Sequence, residues 1–449
     1  MSKISEIMTD TFVLPEELLR YLNRRSCSLL IKGPAGSGKT TLALTLLKAL
    51  TTDENFLYLS TRASPSQLFG DYPWLSVEFS SGAATSGPGA RANPRFIDAR
   101  LDEPGQLFER IASELMDVRT PTIVIDTWNS MEDYADFEDL RINVRVLQSW
   151  IERVGGKLIL LGEDPEDSTI DALVDGIVVL RQGELDARRV REMSLVKLRG
   201  TGIQSPVYNF TLKDGYFRAF PHSRVEDLLQ APRIPWRPIP GSDTTRSGYI
   251  STGYAELDLI HGGGLSKGTL AEIEMGQGLD PKLAMLFLLP LVNNFLASGG
   301  RAKIVPWPGA NRSFMAKLLA TLPAHRRRRV QVLRGNPNRK GNRLPPTGGD
   351  STQHPSGSDA GLSILFADPD QTRIEPKDQG WAETEKSLMI VVMPHGKALM
   401  STWNAEARVK LLFLNGTLFI ESEVPYSELH AIVNRGSGKF ARIHLEQIS

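Results

Sequence analysis

Eight consecutive residues carry the clearest chemistry in this chain. Gly33-Pro34-Ala35-Gly36-Ser37-Gly38-Lys39-Thr40 fits the spacing G-x-x-x-x-G-K-[ST]. Glycines at these intervals let a backbone wrap a polyphosphate with several N–H groups turned inward. A helix starting beside Lys39 adds the positive end of its dipole. The Lys39 ammonium reaches the β- and γ-phosphates of a nucleotide, the Thr40 hydroxyl suits Mg²⁺, and Thr41 suits the α-phosphate. The loop from Gly33 to Thr41 is therefore a candidate ATP site. A further oxygen for the metal has to come from another strand. Asp126, at the end of the apolar run Thr122–Ile125, is the natural source. An Asp-Thr pair there also suits a strand end or a helix N-cap.

These groups need a scaffold, and the flanking residues predict one. Ser28–Lys32 is a short apolar run leading into the glycine loop, and Thr40–Leu50 has helical spacing and good helix formers. Strands are expected at Phe56–Ser60, Thr122–Ile125, Lys157–Leu161 and Gly176–Leu180, and helices at Leu107–Met116 and Asp139–Val154. Arg189–Arg199 and Val207–Leu212 read as late, partly exposed strands. Alternating strands and helices imply an α/β fold with a mainly parallel central sheet. Ser80–Pro94 is turn-rich and reads as a surface loop.

The N-terminal half resembles the KaiC-like and RadA-like ATPases of the RecA superfamily. The resemblance rests on the glycine loop, on IVIDTWNSM, on LILLGEDPEDSTIDALVDGIVVL and on KLRGTGIQSPVYNFTLKDGYFRAF. It implies that Lys197 and Arg199 act across a subunit boundary on a neighbour's γ-phosphate, and hence a ring or filament. Two exposed charges on an edge strand are the competing reading. FVLPEELLRYLNRRSCSLLIKG and YLSTRASPSQLFGDYPWL are similar to the archaeal, GvpD-like regulatory branch of that family. One departure bears on catalysis. The family's catalytic glutamate follows the strand after the glycine-loop helix, but Leu59–Pro65 (LSTRASP) holds no carboxylate. Glu163 or Asp164, after a later strand, could substitute as general base. The resemblance then implies firm ATP binding and slow, switch-like hydrolysis.

A second core follows. TGYAELDLIHGGGLSKGTL resembles the family's lead-in to a RecA-like domain, and the strand Leu270–Glu274 comes next. Where a second glycine loop belongs, the chain reads Gly276-Gln277-Gly278-Leu279-Asp280-Pro281-Lys282-Leu283. Pro281 replaces a glycine and removes an N–H donor. Leu283 replaces the metal-binding hydroxyl. Leu388–Met393, taken as the counterpart of the strand before Asp126, ends in Pro394-His395. These substitutions predict two tandem RecA-like P-loop domains, the second degenerate. The expected map is an ATP-binding domain at 1–225, a proline-rich linker at 226–248, and the degenerate domain at 249–449 with a basic insertion near 325–361.

Composition narrows the remaining choices. The chain has 449 residues, 52 Lys+Arg and 52 Asp+Glu, which excludes a uniformly basic coat protein. The balance hides asymmetry. Residues 1–225 hold 26 basic and 31 acidic residues, whereas 301–350 hold 12 basic residues and one acid. Arg326, Arg327, Arg328 and Arg329 are the densest part and suit DNA phosphates. They equally suit a protein partner, such as the acidic run Glu132–Asp139 of a neighbouring copy. A single cysteine, Cys27, and no apolar leader in MSKISEIMTDTF give the expectation of a cytoplasmic protein. No apolar run is long enough to span a membrane, and no His/Cys spacing fits a metal site. His261 and Trp128 read as structural. The leading expectation is a Mg·ATP-binding regulatory ATPase that forms homo-oligomers. The alternatives are a DNA-dependent ATPase of recombination or repair, and an assembly protein with ATP as a fixed interface ligand.

Overall fold

A computed structural model describes residues 14–50, 55–79, 95–102, 104–115, 118–132, 137–163, 169–185, 188–222, 248–333, 361–367, 387–396, 405–435 and 442–447. The chain divides into two units, with the division after Phe220.

The N-terminal unit follows from its apolar runs. In order it comprises α1 (Glu16–Leu22), β1 (Cys27–Lys32), α2 (Lys39–Leu50), β2 (Phe56–Ser60), α3 (Pro65–Asp71), α4 (Trp74–Glu78), β3 (Phe96–Asp98), α5 (Pro104–Leu115) and β4 (Thr122–Asp126). It continues with α6 (Asn129–Glu132), α7 (Phe137–Val154), β5 (Lys157–Gly162), β6 (Gly176–Leu185), β7 (Arg188–Leu198), β8 (Val207–Thr211) and β9 (Arg218–Ala219). β1, β2 and β4 are buried along their whole length, as strands covered on both faces must be. Alternate side chains feed two cores. Leu29, Ile31, Tyr58, Val124 and Ile159 pack on the face covered by α2. Leu30, Leu57, Leu59, Ile123, Ile125 and Leu158 pack on the face covered by α5 and α7. The apolar stripe of α5 is Leu107, Ile111 and Leu115, all essentially inaccessible, at the four-residue spacing of one helix face.

The nine strands run in the order β3-β2-β4-β5-β1-β6-β7-β8-β9. Pairing is parallel from β3 to β6 and antiparallel from β6 to β9. From β1 the chain leaves to one side for β2 and later returns to the other side with β6. Such a switch point opens a crevice at the carboxyl ends of the strands, where ligands bind.

The C-terminal unit repeats this plan. It holds β10 (Tyr249–Ile250), α8 (Ala255–Ile260), β11 (Leu265–Ser266), β12 (Leu270–Met275), α9 (Pro281–Ala297), β13 (Arg301–Val305), α10 (Arg312–Ala320), α11 (Ala324–Arg327) and β14 (Val330–Val332). Then come β15 (Gly361–Phe366), β16 (Leu388–Met393), β17 (Ala407–Leu414), β18 (Thr417–Val424), β19 (His430–Arg435) and β20 (Arg442–Gln447). Its large sheet runs β14-β13-β15-β16-β12-β17-β18-β19-β20, again parallel up to β17 and antiparallel beyond it. Strand for strand this is the N-terminal order, with β12 in the place of β1. The architecture is two α/β RecA-like cores in tandem.

The shared order corrects one expectation. The counterpart of β4 is β15, and β16 stands in the place of β5. Register fixes the equivalences. Ile31 pairs with Leu161 two residues before Gly33, and Glu274 pairs with Met393 two residues before Gly276. Leu161 thus matches Met393. Ile125 pairs with Leu160, and Phe366 with Val392, so Asp126 matches Ala367 and Glu163 matches His395. The missing carboxylate is real, but its place is Ala367. Sequence reading passed over β15 because six residues, GLSILF, emerge from a stretch rich in Gly, Pro and Ser. The proline-rich linker, the loop Ser80–Pro94 and most of the basic insertion lie outside the described residues.

Candidate nucleotide site

The glycine loop is built by close approach. A Cβ on Gly33 would lie 2.5 Å from the Leu180 carbonyl oxygen and 2.7 Å from Ser37 Oγ, so only glycine fits beside β6. Gly38 has φ +99°, a region that favours glycine. Pro34, Ala35 and Gly36 are exposed, whereas Gly33, Ser37, Lys39 and Thr41 are buried. α2 begins at Lys39, so its first turn faces the loop.

Lys39 sets the electrostatics. Its ammonium donates to the carbonyl oxygens of Gly33 at 2.6 Å and Pro34 at 3.0 Å. Burial pushes its pKa down, while the carboxylates of Glu163 and Asp126 pull it back and Arg62 opposes them. Four charged groups therefore share the mouth of the loop. The Thr40 hydroxyl donates to Asp126 Oδ2 at 2.8 Å. Tyr58 donates to the same oxygen at 2.6 Å, and Thr127 Oγ1 to Oδ1 at 3.2 Å. The buried Asp126 carboxylate is thus held by three hydroxyls and is aimed at Thr40. Burial and this carboxylate raise the Tyr58 phenol well above its usual range, so it remains a donor.

The donors present suit Mg²⁺. Thr40 and Asp126 offer neighbouring hard oxygens from two different elements, the kind of partial set that Mg²⁺ takes alongside water and phosphate. Ser37 Oγ is buried inside the cradle with no hydrogen-bond partner, a polar atom suited to a ligand placed there. Thr40 and Asp126 would hold Mg²⁺, which would supply positive charge to offset that of the phosphates.

The remaining predicted residues fall in two groups. Glu163 lies at the site: it follows β5, its backbone N–H donates to Asn129 Oδ1 at 2.7 Å, and its carboxylate pairs with Arg62. Thr41 Oγ1 lies 3.0 Å from the Tyr72 hydroxyl. Lys197 donates to the carbonyls of Asp171 (3.0 Å) and Val174 (2.7 Å), and Arg199 pairs with Asp175 at 2.9 Å. In the single chain both therefore have partners within their own unit. Arg326 donates to Asn293 at 2.8 Å, Arg327 to the carbonyls of Ala320 and Leu322 at 3.2 Å each, and Arg329 to that of Leu296 at 3.3 Å. Arg327 and Arg329 thus reach carbonyls at the ends of α10 and α9, and Arg326 holds a side chain of α9; Arg328 and Arg329 are exposed. Asp164 and the acidic run around Asp133–Asp136 lie outside the described residues. Trp128 is core, 1% exposed. His261 is largely buried, 3.5 Å from Ser422 Oγ.

Sequence reasoning missed Tyr58 and Tyr72. The signal for Tyr58 was present: a tyrosine inside the apolar strand FLYLS has a hydroxyl that needs a buried partner. Tyr72 follows the short helix α3, where no periodicity marks it.

In the C-terminal unit the same positions are chemically empty. Asp280 caps α9, accepting from the Lys282 N–H at 2.9 Å, and Pro281 occupies the first turn. Leu283 is 4% exposed in the hydrophobic core where Thr40 would present its hydroxyl. The Lys282 ammonium sits 3.5 Å from Asp280.

Residues 20–223 match the family model described as "ATPase: KaiC". The chain is 27% identical over 306 residues to protein GvpD2 of Halobacterium salinarum, covering 65% of this chain and 61% of that relative. Protein GvpD1 of the same organism is 27% identical over 312 residues, 66% of this chain and 57% of that relative. The circadian clock oscillator protein KaiC of Synechococcus elongatus is 24% identical over 267 residues, 54% of this chain and 47% of that protein. This chain thus spans 57–61% of the length of the two GvpD relatives. Members of the KaiC-like family bind nucleotide, usually with Mg²⁺. The family match falls on the unit that carries the glycine loop, so that unit is a KaiC-like ATPase domain, similar to the GvpD proteins and to KaiC.

Proposed function

We propose that the N-terminal unit binds Mg·ATP through Gly33–Thr41 and hydrolyses it slowly, and that its nucleotide state governs homo-oligomer assembly and engagement of a partner in a regulatory role such as transcription control. The observation that carries this reading is the contact between Thr40 and Asp126, beside a lysine poised on the carbonyls of its own loop. Lys39 would leave Gly33 and Pro34 for the β- and γ-phosphates. Thr40 and Asp126 would hold the metal side of the phosphates, and Tyr58 and Thr127 would keep the Asp126 carboxylate oriented. Glu163 is the carboxylate nearest the role of general base: it would take a proton from the water that adds to the γ-phosphorus as the bond to the bridging oxygen breaks. The segment after β2, LSTRASP, holds no carboxylate, which supports slow turnover.

The DNA-dependent alternative draws less support. Arg326, Arg327 and Arg329 each have a hydrogen-bond partner within their own unit, which gives these three a role without nucleic acid. Light scattering with and without ATP, alongside steady-state hydrolysis with and without duplex DNA, tests both readings. Assembly that follows ATP, with DNA-independent turnover well below about 1 s⁻¹, the lower end of ordinary enzyme rates, is expected. DNA-stimulated hydrolysis would favour the alternative. Lys39→Ala should abolish ATP binding.

A further inference from the structure

Arg62 has no role in the reading above except as a partner of Glu163, yet its placement is specific. β2 ends at Ser60, which pairs in register with Asp126. The next residue, Thr61, is tied to the same spot: its N–H donates to the Asp126 carbonyl at 2.6 Å, and its hydroxyl accepts from the Thr127 N–H at 2.8 Å. Arg62 therefore leaves the backbone beside the metal-side carboxylate. Glu163 leaves it one residue after Gly162, whose carbonyl accepts from the Gly33 N–H at 3.2 Å. The two side chains meet across the mouth of the phosphate loop. Their side chains are 53% and 33% exposed, with the Glu163 oxygen that faces Arg62 itself buried, so the pair is partly screened by solvent.

The internal repeat supplies a control. Counting on from the strand registers, the place of Glu163 falls to His395 and that of Arg62 to Gly309. His395 pairs instead with Glu274 at 3.3 Å. The ion pair is absent in the core that has also lost the Thr40 hydroxyl and the Asp126 carboxylate. A pair serving only the fold has no reason to disappear in step with the phosphate chemistry.

We propose that Arg62 is a γ-phosphate-binding residue that exchanges partners: it holds Glu163 when no γ-phosphate is present, and moves to the γ-phosphate when ATP binds. This rests on the reading of Gly33–Thr41 as the nucleotide site. A guanidinium matches a phosphate face with parallel N–H donors more strongly than it holds a half-exposed carboxylate. The exchange releases Glu163 beside the terminal phosphate, where it can accept a proton from water. Loss of the γ-phosphate returns Arg62 to Glu163. Arg62 would then distinguish ATP from ADP and time the availability of the base.

The test is calorimetric titration of the full chain with Mg²⁺ and either ADP or the β,γ-imido analogue of ATP, for wild type, Arg62→Ala and Glu163→Gln. Arg62→Ala should lose about tenfold in affinity for the triphosphate, as expected for one charge-assisted contact, and keep its affinity for ADP. Glu163→Gln should bind the triphosphate several-fold more tightly, keep ADP and hydrolyse ATP more slowly. Retained ADP binding reports that each variant is folded. If ADP binding is lost in Arg62→Ala, Arg62→Lys replaces it, and a triphosphate-to-ADP preference equal to wild type overturns the exchange. Equal losses for both nucleotides, or weaker triphosphate binding by Glu163→Gln, likewise overturn it. Wild type that binds neither nucleotide would instead overturn the reading of the loop.

Discussion

Tyr58→Phe isolates one bond at the metal-side carboxylate. The ring of Tyr58 is fully buried and sits 5.3 Å from that of Phe96. Phenylalanine keeps this packing and leaves no new cavity. What is removed is the 2.6 Å donation to Asp126 Oδ2. A hydrogen bond to a charged group contributes about 1.5–3 kcal/mol, so a loss of about 2 kcal/mol is expected in the absence of nucleotide. For a unit of roughly 200 residues this corresponds to about 4–8 °C in Tm. Thr40 and Thr127 still donate to Asp126, and Lys39 is untouched, so Mg·ATP should still stabilise the variant. At a hundredfold excess over Kd that stabilisation is about 2.7 kcal/mol. Scanning calorimetry with and without Mg·ATP measures both quantities on the transition that responds to nucleotide. A drop below about 1 °C, well under what one such bond should cost, would mean that Asp126 does not lean on Tyr58. A normal Tm without nucleotide but no response to Mg·ATP would make Tyr58 a ligand, and would refute the assignment of the metal side to Thr40 and Asp126.

Further outcomes follow from other buried groups. Burial raises the Cys27 thiol to about 11, so at pH 8 only about one molecule in a thousand is thiolate. Iodoacetamide should modify the protein at a rate set by unfolding; prompt alkylation in native buffer would contradict this. Burial lowers the His261 pKa, with Glu406 partly opposing. The folded state keeps His261 neutral, while the unfolded chain takes up a proton near pH 6.5. Stability of the C-terminal unit should therefore fall as pH drops from about 7 toward the depressed folded value, then level off. The urea midpoint of His261→Gln should change less than wild type between pH 7.5 and 5.5; an identical pH dependence would show that His261 contributes nothing.

The site was legible where chemistry demands a local pattern. Glycines and a lysine at fixed spacing announce a phosphate loop, and the apolar run ahead of Asp126 announces the strand beneath it. β2 was read at the bounds the structure gives, because an uninterrupted apolar run needs no context. β15 was not, since six half-apolar residues beside turn formers carry no distinctive period. That omission shifted the assigned counterpart of β4 by one strand, and only the sheet order restores it. The partners of Asp126 and of the arginines in and after α11 were illegible for another reason. Tyr58 meets Asp126 across 68 positions, and Arg329 meets the carbonyl of Leu296 across 33, distances that no local window spans. Two of the basic residues read from sequence as a phosphate surface, Arg327 and Arg329, reach carbonyls at helix ends.

The central claim is that one core binds nucleotide and its repeat does not. Titration calorimetry of the full chain with the β,γ-imido analogue of ATP and Mg²⁺ measures this directly. The account predicts one site per chain, lost in Lys39→Ala and unchanged in Lys282→Ala. Two sites per chain, or a site that survives Lys39→Ala and disappears with Lys282→Ala, would contradict it.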